Sequence, residues 1–193
     1  MEKSISKEEL AKLESEVFTG KICVVDDAVS VKRAVDYLVR FPLLGFDTET
    51  RPSFEKGLQH KVALIQLANQ DHCFLFRVNG NNFFDPLIEL LSNPDIKKIG
   101  LSLQDDFRSI KRWIRFEPRG FIELQEMVKD YGIDEMGLAK IYALIFGKKI
   151  SKSQRLTNWE AKILTEAQKH YAALDAWACF NIYKELCVVR KST

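Results

Sequence analysis

Two apolar runs, Val62 to Ala68 and His72 to Val78, are separated only by Asn69-Gln70-Asp71. Three polar turn-formers between two such runs are hairpin chemistry, so the runs are expected to pair as antiparallel strands. A third run, Leu43-Leu44-Gly45-Phe46-Asp47, lies upstream and reads as a short buried strand, completing a three-strand meander. Ile22 to Val25 is another short strand; Ile96 to Leu101 and Phe121 to Leu124 continue the sheet after the meander.

Helices alternate with these strands. Ser6 with Glu9 forms a capping box for an N-terminal helix, and Asp27 caps the next. In that second helix Val31, Val35, Leu38 and Val39 keep helical spacing until Pro42 stops it. Further helices are expected at Pro86 to Leu91 and through Phe107, Ile110, Trp113 and Ile114. Beyond Leu124 the chain is helical, with a break at Gly147 and a polar loop, KKISKSQRLTN. Thr165 with Gln168 then caps a final long helix running to about Cys187. A meander followed by alternating strands and helices implies an α/β layer fold on a mixed sheet. Sites in such sheets gather where strand ends meet crossing helices.

A chain of 193 residues can bury one substantial core, and its net charge of +2 permits a polyanionic partner without demanding one. No apolar run reaches the ~18 residues of a membrane span, and the charged N-terminus has no signal-peptide core, so the protein is expected to be cytoplasmic. Cys23, Cys73, Cys179 and Cys187 make no CxxC pair. His60, His72 and His170 do not join them in zinc spacing, so reduced cysteines and no structural zinc are expected.

The carboxylates carry the functional argument. Asp47 and Glu49 stand two residues apart at a strand end, so both point to one side and repel each other unless a cation intervenes. Taken alone the pair is a weak motif, because most charged residues are simply solvated. DTET also resembles the DxDxT of aspartyl phosphatases, but the second acid here is Glu and no fitting lysine follows. Asp105 and Asp106 open a helix after the Ile96 to Leu101 strand, where acids also suit the helix dipole. Asp175 is harder to explain: it lies among Ala172, Ala173, Ala176 and Ala178, with Tyr171 one helical turn before it. A carboxylate buried there needs a cation or strong donors.

Together these segments resemble the DEDD exonucleases of the ribonuclease D type, and within them the Werner-syndrome kind of exonuclease domain. The likeness runs from about Leu43 to Leu186. FDTET supplies the first motif, KVALIQLA followed by CFLF the next two strands, KKIGLSLQDDFRSI the second motif, and LTEAQKHYAALDAWACFNIY the third. KSQRLTNWEA before it also matches. The resemblance implies a ribonuclease H-like mixed five-stranded sheet flanked by helices, with residues 1–20 as a helical extension and 21–193 as a single exonuclease domain.

It further implies two divalent ions, Mg²⁺ or Mn²⁺, held by Asp47, Glu49, Asp106 and Asp175. The reaction would be 3′→5′ hydrolysis of DNA or RNA, releasing nucleoside 5′-monophosphates. The family uses either Tyr four residues before the last Asp or His five before it, and both are present. At 100° per residue Tyr171 lies about 40° from Asp175 around the helix and His170 about 140°, which favours Tyr171. Thr48, Lys152 and Arg155 are candidate nucleic-acid contacts, and Trp159 and Trp177 are aromatics that either stack bases or fill the core. The alternative is a catalytically silent nucleic-acid-binding module on the same fold.

Overall fold

In the computed structural model, residues 3–55, 57–78 and 85–191 are described, with side chains as far as Val189. The hairpin forms as expected. The Asn69 carboxamide oxygen accepts from the Asp71 and His72 N–H groups at 3.0 and 2.9 Å, turning β3 (Val62–Ala68) into β4 (His72–Arg77). β2 (Leu43–Thr50) pairs antiparallel with β3, completing the meander. β5 (Lys97–Gly100) and β6 (Phe121–Glu123) are added in parallel beyond β2.

The sheet has six strands, not the expected five. β1 (Lys21–Val25) lies parallel to β4, from Lys21 opposite His72 to Val25 opposite Phe76, giving the order β1-β4-β3-β2-β5-β6. The meander's outer strand would otherwise leave a row of backbone donors and acceptors open, and β1 satisfies them.

Helices cover both faces. α2 (Ala28–Leu38), α3 (Asp85–Ser92) and α4 (Leu103–Lys111) pack on one side against Leu44, Phe46, Ile65, Leu67, Phe74 and Phe76. α5 (Leu124–Met127), α6 (Leu138–Phe146) and α7 (Glu166–Lys191) pack on the other against Leu64, Ala68, Cys73 and Leu75. α4 ends two residues before Trp113, which is 44% exposed, and α7 continues past Cys187 to Lys191 because no glycine or proline interrupts it. Thr165 and Gln168 exchange the capping-box bonds at 3.0 and 3.2 Å. Among the described residues no helix is long and apolar enough to cross a membrane, and all four cysteines are free thiols.

α7 lies unusually close to β2. A Cβ on Gly45 would fall 1.9 Å from the Ala176 carbonyl oxygen, so only glycine lets the helix and strand backbones meet there. Lys98 is the converse case, a cation with no exposed surface. Its Nζ donates to the Leu90 and Asn93 carbonyls at the end of α3 (3.3 and 2.6 Å), and burial lowers its pKa to about 8.

The first residues are not a free tail. α1 (Lys7–Lys12) carries the Ser6–Glu9 capping box. After it, Glu16 accepts from Tyr142 Oη at 2.8 Å and Lys148 Nζ at 3.1 Å, Ser15 bridges to Lys149, and Phe18 is buried. Residues 1–2 and 192–193, at the outer ends of the anticipated division into 1–20 and 21–193, lie outside the described residues.

Candidate active site

Pleating divides β2 between two environments. Phe46 enters the α2–α4 face, while Asp47 and Glu49 leave on the α7 side. The Gly45–Ala176 approach then places Asp175, one residue before that contact, beside them. One carboxylate oxygen from each of Asp47, Glu49 and Asp175 lies within 4.8 Å of the others.

Asp106 arrives separately, in the first turn of α4, where it accepts a short hydrogen bond from the Thr48 hydroxyl. Asp105, its neighbour, is turned to solvent and paired with Arg108 at 2.9 Å. Of the second motif's two acids, Asp106 is buried and Asp105 exposed.

The acids raise one another. Burial is the largest cause for each. Asp47 is pushed up to about 7, against a hydrogen bond from the Thr48 N–H. Glu49 is pushed up to about 10, with Asp47, Asp175 and Asp106 adding to burial and Arg155 opposing. Asp106 and Asp175 are raised well above the usual carboxylate range by burial and then by Asp47. The Thr48 hydroxyl opposes this at Asp106, and Tyr171 and Lys152 oppose it at Asp175. Asp47, Glu49 and Asp175, so close together, cannot all ionise without positive charge among them.

Tyr171 is half-buried and hydrogen-bonds Asp175, and burial followed by the Asp175 charge pushes its own pKa up. His170 is exposed, on another side of α7. Tyr171 and Asp175 line a cleft of about 390 Å³ with Ser102, Lys152 and Arg155, so the two loop cations face the acids. The loop is anchored at its far end: Glu160 pairs with Arg51 and His60 at 3.2 and 3.3 Å, and Arg77 donates to the Ala161 and Lys162 carbonyls.

Neither tryptophan is near enough to solvent at this cleft to stack a base. Trp159 is wholly buried, its ring 6.0 Å from that of Tyr171, and belongs to the core. Trp177 donates to the Gln70 carbonyl at 3.1 Å and packs edge-on against Phe18, at the hairpin end of the sheet.

Two residues near the acids had no functional reading in the sequence. Glu123, ending β6, accepts from the Ser102 and Leu103 N–H groups at 3.0 and 2.7 Å and so caps α4 from outside. It holds Ser102 in a left-handed conformation (φ 60°), which aims the first turn carrying Asp106. Gln66 sits directly across from Asp47 in the ladder, fully buried, with neither amide atom hydrogen-bonded. Glu123 gave no signal beyond a polar residue at a strand end; Gln66 is visible as the one polar residue inside VALIQLA.

Comparison with known proteins follows the same outline. A family model described as 3′-5′ exonuclease matches residues 22–189. The mouse bifunctional 3′-5′ exonuclease/ATP-dependent helicase WRN is 32% identical over 154 residues, 75% of this chain and 11% of that protein. A 3′-5′ exonuclease of Arabidopsis thaliana is 27% identical over 185 residues, 88% of this chain and 64% of its own. The chain therefore spans less than two thirds of either relative. The crystal structure of Escherichia coli RNase D, an exoribonuclease, superposes with a TM-score of 0.79 at 25% identity, covering 89% of this chain and 46% of that one.

Proposed function

The chain belongs to the 3′-5′ exonuclease family, and on that premise we propose that it removes nucleotides one at a time from a nucleic-acid 3′ end, releasing nucleoside 5′-monophosphates. The observation that carries this reading is the three-carboxylate cluster of Asp47, Glu49 and Asp175, its acids raised by burial and mutual repulsion. A set of hard oxygen donors that resists ionisation by itself fits a divalent cation such as Mg²⁺ or Mn²⁺. Asp47, Glu49 and Asp175 would hold the metal, with Asp106 supporting a second ion. When bound, such a pair supplies an activated water and stabilises the leaving 3′ oxygen during in-line attack.

The protein groups orient the reactants. The Tyr171 hydroxyl, already directed at Asp175, positions the attacking water. Lys152 and Arg155 line the cleft beside Asp175 and grip substrate phosphates. Thr48 meets the terminal nucleotide through its main chain, since its hydroxyl is committed to Asp106. Residues 1–20 act as an extension strapped to an exonuclease domain of residues 21–193.

The test is release of mononucleotides from an oligonucleotide labelled at its 3′ end, with Mg²⁺ or Mn²⁺ and then with EDTA. Release that stops in EDTA and returns with metal is expected, with a 3′-phosphate or a circular strand resisting attack. Binding without release under every metal condition would identify a silent nucleic-acid-binding module instead.

A further inference from the structure

The end of α4 carries a charge excess that the acidic site does not use. From Arg108 to Arg119 there are five cations (Arg108, Lys111, Arg112, Arg115, Arg119) and a single acid, Glu117, in a chain whose net charge is only +2. Asp105 and Glu117 answer Arg108 and Arg119. Lys111, Arg112 and Arg115, together with Lys61, are exposed and form no ion pair among the described residues.

These cations belong to one surface. Arg112 donates to the Gln59 side chain, and Lys61 Nζ stands 4.8 Å above the ring of Trp113, which is 44% exposed. Lys111, Trp113 and Arg115 line a shallow cavity of about 480 Å³. The stretch before β3 and the end of α4 are thereby tied together, presenting unneutralised cations around an open aromatic face. Glu117 lines the same cavity but pairs with Arg119, so the remaining like charges repel one another and their grouping is favourable chiefly when a polyanion lies across them.

The position relative to the acids is fixed by both elements. Lys61 precedes Val62, which pairs with Thr50 at the end of the strand that carries Asp47 and Glu49. Three residues of strand place Thr50 ~10 Å from Asp47. α4 starts at the acids and reaches Arg112 six residues after Asp106, ~9 Å at a helical rise. With one charge per ~3.4 Å of strand, a nucleic acid whose 3′ end lies at the acids reaches this surface about three to five nucleotides upstream.

We propose that Lys61, Lys111, Arg112, Arg115 and Trp113 form a second nucleic-acid contact, a docking surface for the phosphate backbone upstream of the 3′ end. It rests on the exonuclease reading and adds a length preference: strands long enough to reach the surface are held more tightly than those that fill only the cleft. The contact is to backbone and ring faces, so it is indifferent to sequence and sensitive to salt.

The experiment uses the full chain and oligothymidylates of 2 and 20 nucleotides. Affinity for the 20-mer is followed by fluorescence anisotropy in EDTA across a salt series, and cleavage of the dinucleotide is timed in Mn²⁺. Lys111→Gln/Arg115→Gln should weaken the 20-mer by ~10-fold at low salt and flatten its log–log salt slope by about 1.4, for two lost phosphate contacts. Cleavage of the dinucleotide and the melting temperature should stay at wild-type values. Unchanged 20-mer affinity and salt slope, or an equal loss on both lengths, overturns the proposal. Failure of the wild-type protein to cleave either length refutes the exonuclease reading instead, and the binding arm still decides the docking surface.

Discussion

Phe46 and Asp47 are consecutive residues of β2, and their side chains leave the sheet on opposite sides into unlike surroundings. On the α2–α4 side Leu44, Phe46, Ile65, Leu67 and Phe76 are fully buried, and Phe46 and Phe107 both pack edge-on against Phe121 at 5.0 and 4.8 Å. On the α7 side the same strands present Gly45, Asp47, Glu49 and the unpaired amide of Gln66. Both faces gain stability from apolar burial, and the α2–α4 side adds ring contacts. The α7 side gives some of that gain up where Asp47, Glu49 and Asp175 are crowded together. Pleating, which alternates side chains every residue, is what lets a strand eight residues long do both.

The largest test of that contrast exchanges one residue on each face. Asp47→Ala or Asp175→Ala should reduce cleavage to background while the metal-free protein melts no lower than wild type, because a repelling charge has gone. Phe46→Ala should do the reverse, costing about 3–5 kcal/mol of stability, while the folded fraction keeps its turnover. An Asp47→Ala variant that unfolds would show that the acids hold the fold together, and the contrast would collapse.

Next in size is Tyr171→Phe, which removes a hydroxyl and leaves the ring against Trp159. Single-turnover cleavage should fall by roughly 10²-fold with little change in substrate affinity, while His170→Ala stays near wild type. A large loss in the histidine variant with a mild one in the tyrosine variant would reverse the assignment. A smaller effect is expected at the seam between the faces. Gly45→Ala must push α7 off β2, costing about 1–3 kcal/mol and moving Asp175 away from Asp47, so denaturant stability and metal affinity by calorimetry should drop together.

A further test is in pH. Folding raises Asp47 to about 7 and Glu49 to about 10, so between the unfolded carboxylate range and those values the folded protein binds more protons than the unfolded one. Metal-free stability is then greatest at low pH within that window and falls as pH rises through it. Melting temperatures in EDTA should decline from pH 5 to pH 8, and added Mg²⁺ should remove most of the decline. A flat profile in EDTA would mean that the repulsion is relieved some other way.

Much of this was legible in the sequence for physical reasons that differ by region. The hairpin, the meander and the caps at Ser6, Asp27 and Thr165 rest on local chemistry, and each forms. Motif register and helical geometry chose Asp106 over Asp105 and Tyr171 over His170; in the fold Asp105 pairs with Arg108 at the surface and Tyr171 hydrogen-bonds Asp175. What stayed hidden depends on contacts across long stretches of chain. β1 joined the sheet because β4 had an unpaired edge, which no property of Lys21–Val25 announces. Glu123 acts by capping a helix that begins earlier in the chain. For Trp159 the sequence left stacking and core both open, with core favoured, and complete burial beside Tyr171 places it in the core.

The Gly45–Ala176 contact also has a consequence for synthesis. Asp47 emerges from the ribosome 128 residues before Asp175, a delay of ~10 s at ordinary elongation rates. During that interval the meander and its apolar face can form, but α7 has yet to exist, and the acids of β2 have no partner. The cluster of Asp47, Glu49 and Asp175 is thus complete only when the last helix settles against the glycine.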